Sequence, residues 1–309
     1  MNTVTTRRHF LRRLGLLASG CVIADASAIF LSSHGANSNE IRSIYTHFPA
    51  LDRMINGFRP SELVLLAGRP HTGKTSFAID IAVSAAINDG MPVGIFSLDR
   101  SKERIAWDIL SRVSGVSSES MRKGKLSSSQ ISLLLDHSKI FDNTPIWIDD
   151  TPAISVREFS KIAHDLIKQR SAKLIMVDYL QLMKDWRING GVVKKLKALA
   201  VDLAVPILLV SGLPRGVDLR PDSRPRLSDL APQWKGNPQE IIEPYADIVL
   251  FTYRNRLLTN PFFNQGQPTL IDPDVEGKEI SEITVAKTRH GSTGTVKLRF
   301  DEEHGGFMS

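Results

Sequence analysis

From about Ile41 onward, short unbroken apolar runs alternate with longer stretches in which apolar positions recur at the helical period. ELVLLAG (62–68) is such a run, and KTSFAIDIAVSAAIND (74–89) behind it has helical spacing. MPVGIFSL (91–98) is a second run, followed by amphipathic stretches over 101–113 and 127–140 and by PIWIDD (145–150). SVREFSKIAHDLIKQR (155–170) predicts a helix and AKLIMVDYLQLM (172–183) a strand buried on both faces. GGVVKKLKALAVDLA (190–204) then predicts a helix, and VPILLVS (205–211) a further strand. Apolar strands divided by helices call for an α/β fold, a mainly parallel sheet with helices on both faces. The end of the chain changes style. ADIVLFTYR (246–254), EISEITVAKTR (279–289) and GTVKLRF (294–300) predict extra antiparallel strands at the C-terminal end. No internal repeat and no run of transmembrane length is read.

The first forty residues follow another pattern. TTRRHFLRRLGLLASGCVIADASAIFLSS opens with four arginines, passes into a moderately apolar stretch and closes on small residues before the linker-like HGANSN. The predicted organisation is a basic, apolar leader with its linker over 1–40 and one α/β domain over 41–309. Composition changes this picture little. A net charge of +6 and a pI near 9.4 suit a polyanionic partner, but such a mild excess is common on proteins that bind none. The one cysteine, Cys21, excludes an internal disulfide and a cysteine-cluster metal site. The eight histidines show no metal-ligand spacing, so a metal is expected only with a nucleotide.

That nucleotide is announced by Gly68-Arg69-Pro70-His71-Thr72-Gly73-Lys74-Thr75, which fits glycine, four free positions, then Gly-Lys-Ser/Thr. Glycine is needed where backbone wraps a phosphate and turns its N–H groups inward, and the helix behind adds its positive end. Lys74 is expected at the β- and γ-phosphates and the Thr75 hydroxyl on Mg²⁺, with Ser76 counted among the nucleotide-binding positions. The loop sits between a buried run and a helical stretch, the context this motif requires. Asp178 ends LIMVD, where a carboxylate holds Mg²⁺; a turn or capping aspartate is the alternative. Asp99 ends VGIFSLD, where a carboxylate can orient an attacking water; the alternative is an N-cap for the helix starting near Lys102. Ser211 ends VPILLVS and reads as a γ-phosphate sensor or as a strand-end turn serine.

Together GRPHTGKTSFAIDIA, PVGIFSLDRS, IWIDDTP, LIMVDYLQLM, LKALAVDLAVPILLVS, SRPRLSDL, YADIVLFTYR and AKTRHGSTGTVKLRF resemble one family over about Ile44 to Phe300. It is the RecA-like C-terminal motor domain of replicative DNA helicases of the DnaB family. The resemblance implies an ATP-hydrolysing DNA helicase using ATP and Mg²⁺, acting in replication, with other replication proteins as partners. It further implies a hexameric ring, nucleotide held between subunits and single-stranded DNA passing through the centre. By the same resemblance Lys287 and Arg289 reach a neighbour's nucleotide, with Arg289 as an arginine finger in trans. Asp99 would be the catalytic base.

Departures from the family are also legible. Its base is a glutamate in FSLE, one methylene longer than Asp99, and glutamine follows the sensor serine where this chain has Gly212. Ala231 stands where the family has arginine, and the segment between VDYLQLM and LKALA is shorter. In that segment, which also holds Arg187, Trp186 reads as a surface anchor, with a base-stacking platform as the alternative. Arg215, Arg220 and Arg224 precede SDL on the second DNA-facing loop and suit phosphate contacts, a solvated basic loop being the alternative. No counterpart of the family's helical collar is read in residues 1–40. These departures leave an ATP-binding interaction protein without unwinding activity as the second reading. Thr6-Arg7-Arg8-His9-Phe10-Leu11-Arg12, with Ala26-Ser27-Ala28 as a cleavage site, resembles a twin-arginine export signal over 6–28. An exported ATPase has no ATP, so the location taken is the cytoplasm, with export as the alternative.

Overall fold

The computed structural model describes residues 43–187, 191–230, 242–254 and 280–308. The leader with its export-signal reading and Ala231 lie outside these residues. The elements run α1 (Pro49–Ile55), β1 (Leu63–Gly68), α2 (Lys74–Ile87), β2 (Val93–Ser97), α3 (Lys102–Ser114), α4 (Ser118–Lys123), α5 (Ser128–Asn143) and β3 (Ile146–Asp149). They continue as α6 (Val156–Arg170), β4 (Leu174–Asp178), α7 (Val192–Leu203), β5 (Ile207–Gly212), β6 (Ile248–Arg254), β7 (Ile280–Lys287), β8 (Gly294–Asp301) and β9 (Gly306–Met308).

Among the described residues, nine strands form one sheet in the order β3-β2-β4-β5-β1-β6-β7-β8-β9. The strands from β3 to β6 pair in parallel, and β7, β8 and β9 are added antiparallel. Successive side chains of a strand leave on opposite faces, and β1 shows the result. Val64 and Leu66 join one core with Phe77 and Ile81 of α2 and Ile105 and Ile109 of α3. Leu63, Leu65 and Ala67 join another with Phe159 of α6 and Val192, Leu196 and Ala200 of α7. Both faces are therefore covered, which explains the unbroken apolar run in the sequence.

The run over 172–183 is strand only to Asp178. Two 3-10 turns follow, Leu180–Leu182 and Lys184–Arg187. Such turns repeat every three residues, so Leu180, Met183 and Trp186 stay on one side and are all buried. The apolar run continues the core in a new geometry. Trp186, only 3% exposed, is core rather than a surface anchor or an open stacking platform. Helices α1 and α4 and strand β9 are too short to show a period in the sequence.

Strand β9 is held across the molecule. Asp80 of α2 accepts from the Phe307 backbone N–H at 2.7 Å and from Arg112 Nε at 2.5 Å, and Arg112 also donates to the Gly305 carbonyl. Burial pushes the Asp80 carboxyl up while Arg112 pulls it down. Phe307 packs edge-on against Phe77 with ring centres 5.2 Å apart. The C-terminal hairpin thus sits beside the start of α2, where the phosphate loop ends.

Candidate nucleotide-binding site

Strand β1 ends at Gly68 and α2 begins at Lys74, so residues 69–73 form the whole connection. Two glycines are required there by geometry. A Cβ on Gly68 would stand 2.3 Å from Thr252 Oγ1 of β6. Gly73 has φ 88° and lies against the Phe307 ring, where a Cβ would come within 2.7 Å. The loop is braced from several sides. Thr72 Oγ1 meets the Arg69 carbonyl at 2.8 Å and Thr252 Oγ1 at 2.7 Å. Arg69 donates to the Leu213 carbonyl at 2.6 Å and, through Nε and Nη2, to Asp218 at 2.8 and 2.5 Å. Pro70 and His71 complete the turn, His71 with φ 64°.

Lys74 Nζ donates to the Arg69 carbonyl at 2.7 Å. Burial pushes its ammonium down to about 8, while Asp178 holds it up. Thr75 Oγ1 donates to Asp178 Oδ1 at 3.2 Å. Asp178, at the end of β4, is 1% exposed, and burial raises its carboxyl to about 6 against the pull of Thr75, Arg100 and Lys74. Its Oδ2 is buried with no hydrogen-bond partner. An orphaned carboxylate oxygen beside a threonine hydroxyl is a donor set for a hard cation such as Mg²⁺. The residues fit the ion.

Strand β2 pairs with β4 so that Ser97 faces Asp178. Asp99, two residues on, is exposed at that same sheet edge, and its charge adds to the rise in the Asp178 carboxyl. It is not the cap of α3, whose N-cap is Ser101, and Asp150 receives the Lys102 N–H at 2.9 Å. Ser211 is buried and accepts from Gln181 Nε2 at 2.8 Å, and Gln181 Oε1 accepts the Gly212 N–H at 3.0 Å. Gln181, which the sequence did not single out, binds the residues at the end of β5.

Arg254 and Phe300 were also missed. Arg254 lies over the Phe300 ring at 4.3 Å, pairs with Glu302 at 2.7 Å, and borders a pocket of about 700 Å³ that Gly73, Lys74, Thr75 and Ser76 also line. Both fell inside quoted segments, YADIVLFTYR and the late hairpin. Their meeting needs the β6–β7–β8 pairing, which no local pattern shows.

Lys287 and Arg289 do not join this group within one chain. Lys287 pairs with Glu243 at 2.7 Å. Arg289 Nε pairs at 2.6 Å with Asp247, which also takes the Leu63 N–H at 2.7 Å and Lys197 Nζ at 2.6 Å. Asp247 and Leu63 stand where β6 and β1 begin, and the phosphate loop stands where β1 ends. The two sets of residues occupy opposite edges of the sheet. On the predicted DNA-facing loop Arg215 is exposed, whereas Arg220 is clasped by both oxygens of Asp229 at 2.7 and 2.9 Å. Arg224 is clasped by both oxygens of Glu282 at 2.7 and 2.8 Å and lies over Tyr253.

The chain matches the family described as DnaB-like helicase C terminal domain over residues 43–309. The replicative DNA helicase DnaB of Geobacillus stearothermophilus is 36% identical over 278 residues, which cover 87% of this chain and 57% of that protein. The replicative DNA helicase DnaC of Bacillus subtilis (strain 168) is 34% identical with the same shares covered. Among solved structures, a DnaB-like replicative helicase described with its interactions with primase is 28% identical with a TM-score of 0.74. That likeness covers 87% of this chain and 62% of that one. The chain spans 57% of the length of the two helicases named first. With a RecA-like sheet, a braced phosphate loop and a family match over 43–309, the chain belongs to the DnaB-like helicase C-terminal domain family.

Proposed function

We propose that this chain is an ATP-hydrolysing motor that moves on single-stranded DNA as part of a ring of copies. The observation that carries the reading is the junction of Lys74, Thr75 and Asp178, a half-buried cation, a hydroxyl and an orphaned carboxylate oxygen at one loop. The backbone of residues 68–73 and the Lys74 ammonium bind the phosphates. Thr75 and Asp178 would hold Mg²⁺, which would offset the negative charge of the phosphates. Arg254 over Phe300 offers a flat cationic face for the base. Asp99, exposed at the Asp178 edge, orients the attacking water. Arg289 of a neighbouring copy adds charge at the terminal phosphate, since its own copy keeps it at the far edge of the sheet.

Phosphate contact to DNA is assigned first to exposed Arg215, while Arg220 and Arg224 shape its loop through Asp229 and Glu282. Lys287 accompanies Arg289 at the interface. The place of work proposed is the cytoplasm, where ATP is supplied. Among the described residues, no helix is long and apolar enough to cross a membrane.

The test is ATP turnover of the purified full chain, with and without single-stranded DNA, beside Lys74→Ala. DNA-stimulated turnover that disappears in Lys74→Ala supports the motor. Nucleotide binding without turnover would sink it and leave the ATP-binding interaction protein.

A further inference from the structure

A further cation stands at the phosphate pocket. Arg100 follows Asp99 at the end of β2, and Ser97 Oγ donates to its carbonyl at 2.7 Å, closing the turn. Its Nη1 donates to Asp108 Oδ2 at 2.9 Å. Asp108, on α3, has a side chain only 9% exposed, and its other oxygen takes Arg104 Nε at 3.2 Å. A further arginine, Arg112, donates to the Asp108 carbonyl at 2.7 Å. Arg100 is therefore fixed at both ends, backbone and guanidinium. Its side chain remains 32% exposed, and it borders the same pocket as Lys74 and Thr75. A guanidinium offers five N–H donors, and among the described residues only Nη1 of Arg100 makes a hydrogen bond.

Its position along the sheet says which part of the nucleotide it meets. Arg254 and Phe300 flank the loop on the β6–β8 side of β1. Arg100 flanks it on the β4–β2 side, where Ser97 faces Asp178 and Asp178 holds Thr75. The base fits the first flank, so the free end of the phosphate chain lies toward the second. A planar donor fork preset by a carboxylate suits a phosphate oxygen and loses little freedom on binding.

We propose that Arg100, positioned by Asp108, binds the terminal phosphate of the nucleotide within its own chain and so sets the preference for triphosphate over diphosphate. This rests on the nucleotide site proposed above. It differs from the action of Arg289, because it needs no second copy.

The experiment is equilibrium binding of a non-hydrolysable ATP analogue and of ADP, each with Mg²⁺, by competition against a fluorescent nucleotide. Wild type, Arg100→Ala, Asp108→Asn and Lys74→Ala are compared as full chains. Losing a charge-assisted hydrogen bond predicts that Arg100→Ala weakens the triphosphate analogue about tenfold or more while ADP stays within about twofold. Asp108→Asn shifts the same ratio in the same direction by less. Unchanged ADP binding also serves as the control for folding. Equal loss for both nucleotides, or no loss for either, overturns the proposal. Lys74→Ala is expected to weaken both. If Lys74→Ala acts and Arg100→Ala leaves the ratio unchanged, only the role of Arg100 falls. If the wild type binds neither nucleotide, the site itself falls and the proposal with it.

Discussion

At the scale of single residues, the proposed chemistry divides between groups that bind and one that turns over. Asp99 is exposed, and the hydrogen-bond partners of Lys74 and Thr75 are Arg69 and Asp178, so binding should survive its loss. Asp99→Asn should lower ATP turnover by about 10²- to 10⁴-fold, the usual worth of a general base, with nucleotide affinity little changed. A parallel fall in affinity would argue against the role. His304 gives a pH-dependent contact. Its Nδ1 faces Asp301 Oδ2 at 2.6 Å and its Nε2 faces the Gly115 carbonyl at 2.9 Å, so both ring nitrogens meet acceptors. These partners raise the imidazole against the opposing effect of burial, and His304 in turn helps hold the Asp301 carboxyl low. A raised histidine stabilises the fold below its ordinary value near 6.5 and loses that contribution as pH climbs through the raised value. The urea midpoint of His304→Gln should therefore lie below wild type at about pH 6 and approach it at about pH 8. A gap that widens with pH would contradict this. Gly68 to Thr75, Asp99 and Asp178 were legible in the sequence, because each sits at the end of an apolar run. Arg254, Phe300 and Gln181 were not, since each gains its meaning from a partner at least thirty residues away.

At the scale of elements, two local devices can be tested separately. Helix α6 starts with a capping box: Ser155 Oγ accepts the Glu158 N–H at 3.2 Å, and Glu158 accepts the Ser155 N–H at 2.9 Å. Ser155→Ala should cost about 1 kcal/mol in chemical unfolding, and a shift near zero would mean the start of α6 is held by its packing alone. The link from Arg69 to Asp218 bears on the proposed function instead. It joins the phosphate loop to the 3-10 turn Arg215–Leu219, which carries the exposed Arg215. Asp218→Ala should reduce the stimulation of ATP turnover by single-stranded DNA more than it reduces the unstimulated rate. An unchanged ratio would show that the two loops communicate by another route. The strands were legible because a sheet covered on both faces leaves no polar positions in its buried runs. The 3-10 continuation through Trp186 was not, since its period of three emerges only once β4 stops at Asp178.

At the scale of the whole molecule, a fold with nine strands in one sheet has two ends, and this chain puts different chemistry at each. Its parallel order was legible from the alternation of runs and helices. The distance between Lys74 and Arg289 was not, because it depends on β7 returning antiparallel beside β6. That return carries Arg289 to Asp247, at the edge where the parallel strands begin. In the ring proposed above, each copy offers one half of a reaction centre on either side. Genetic complementation follows inside a single assembly. Lys74→Ala and Arg289→Ala should each lack turnover alone, yet subunits of the two mixed equally before assembly should regain it. Random placement in a head-to-tail ring leaves about a quarter of the junctions with an intact residue from each side. Mixtures that stay silent would mean that one copy supplies everything its nucleotide needs.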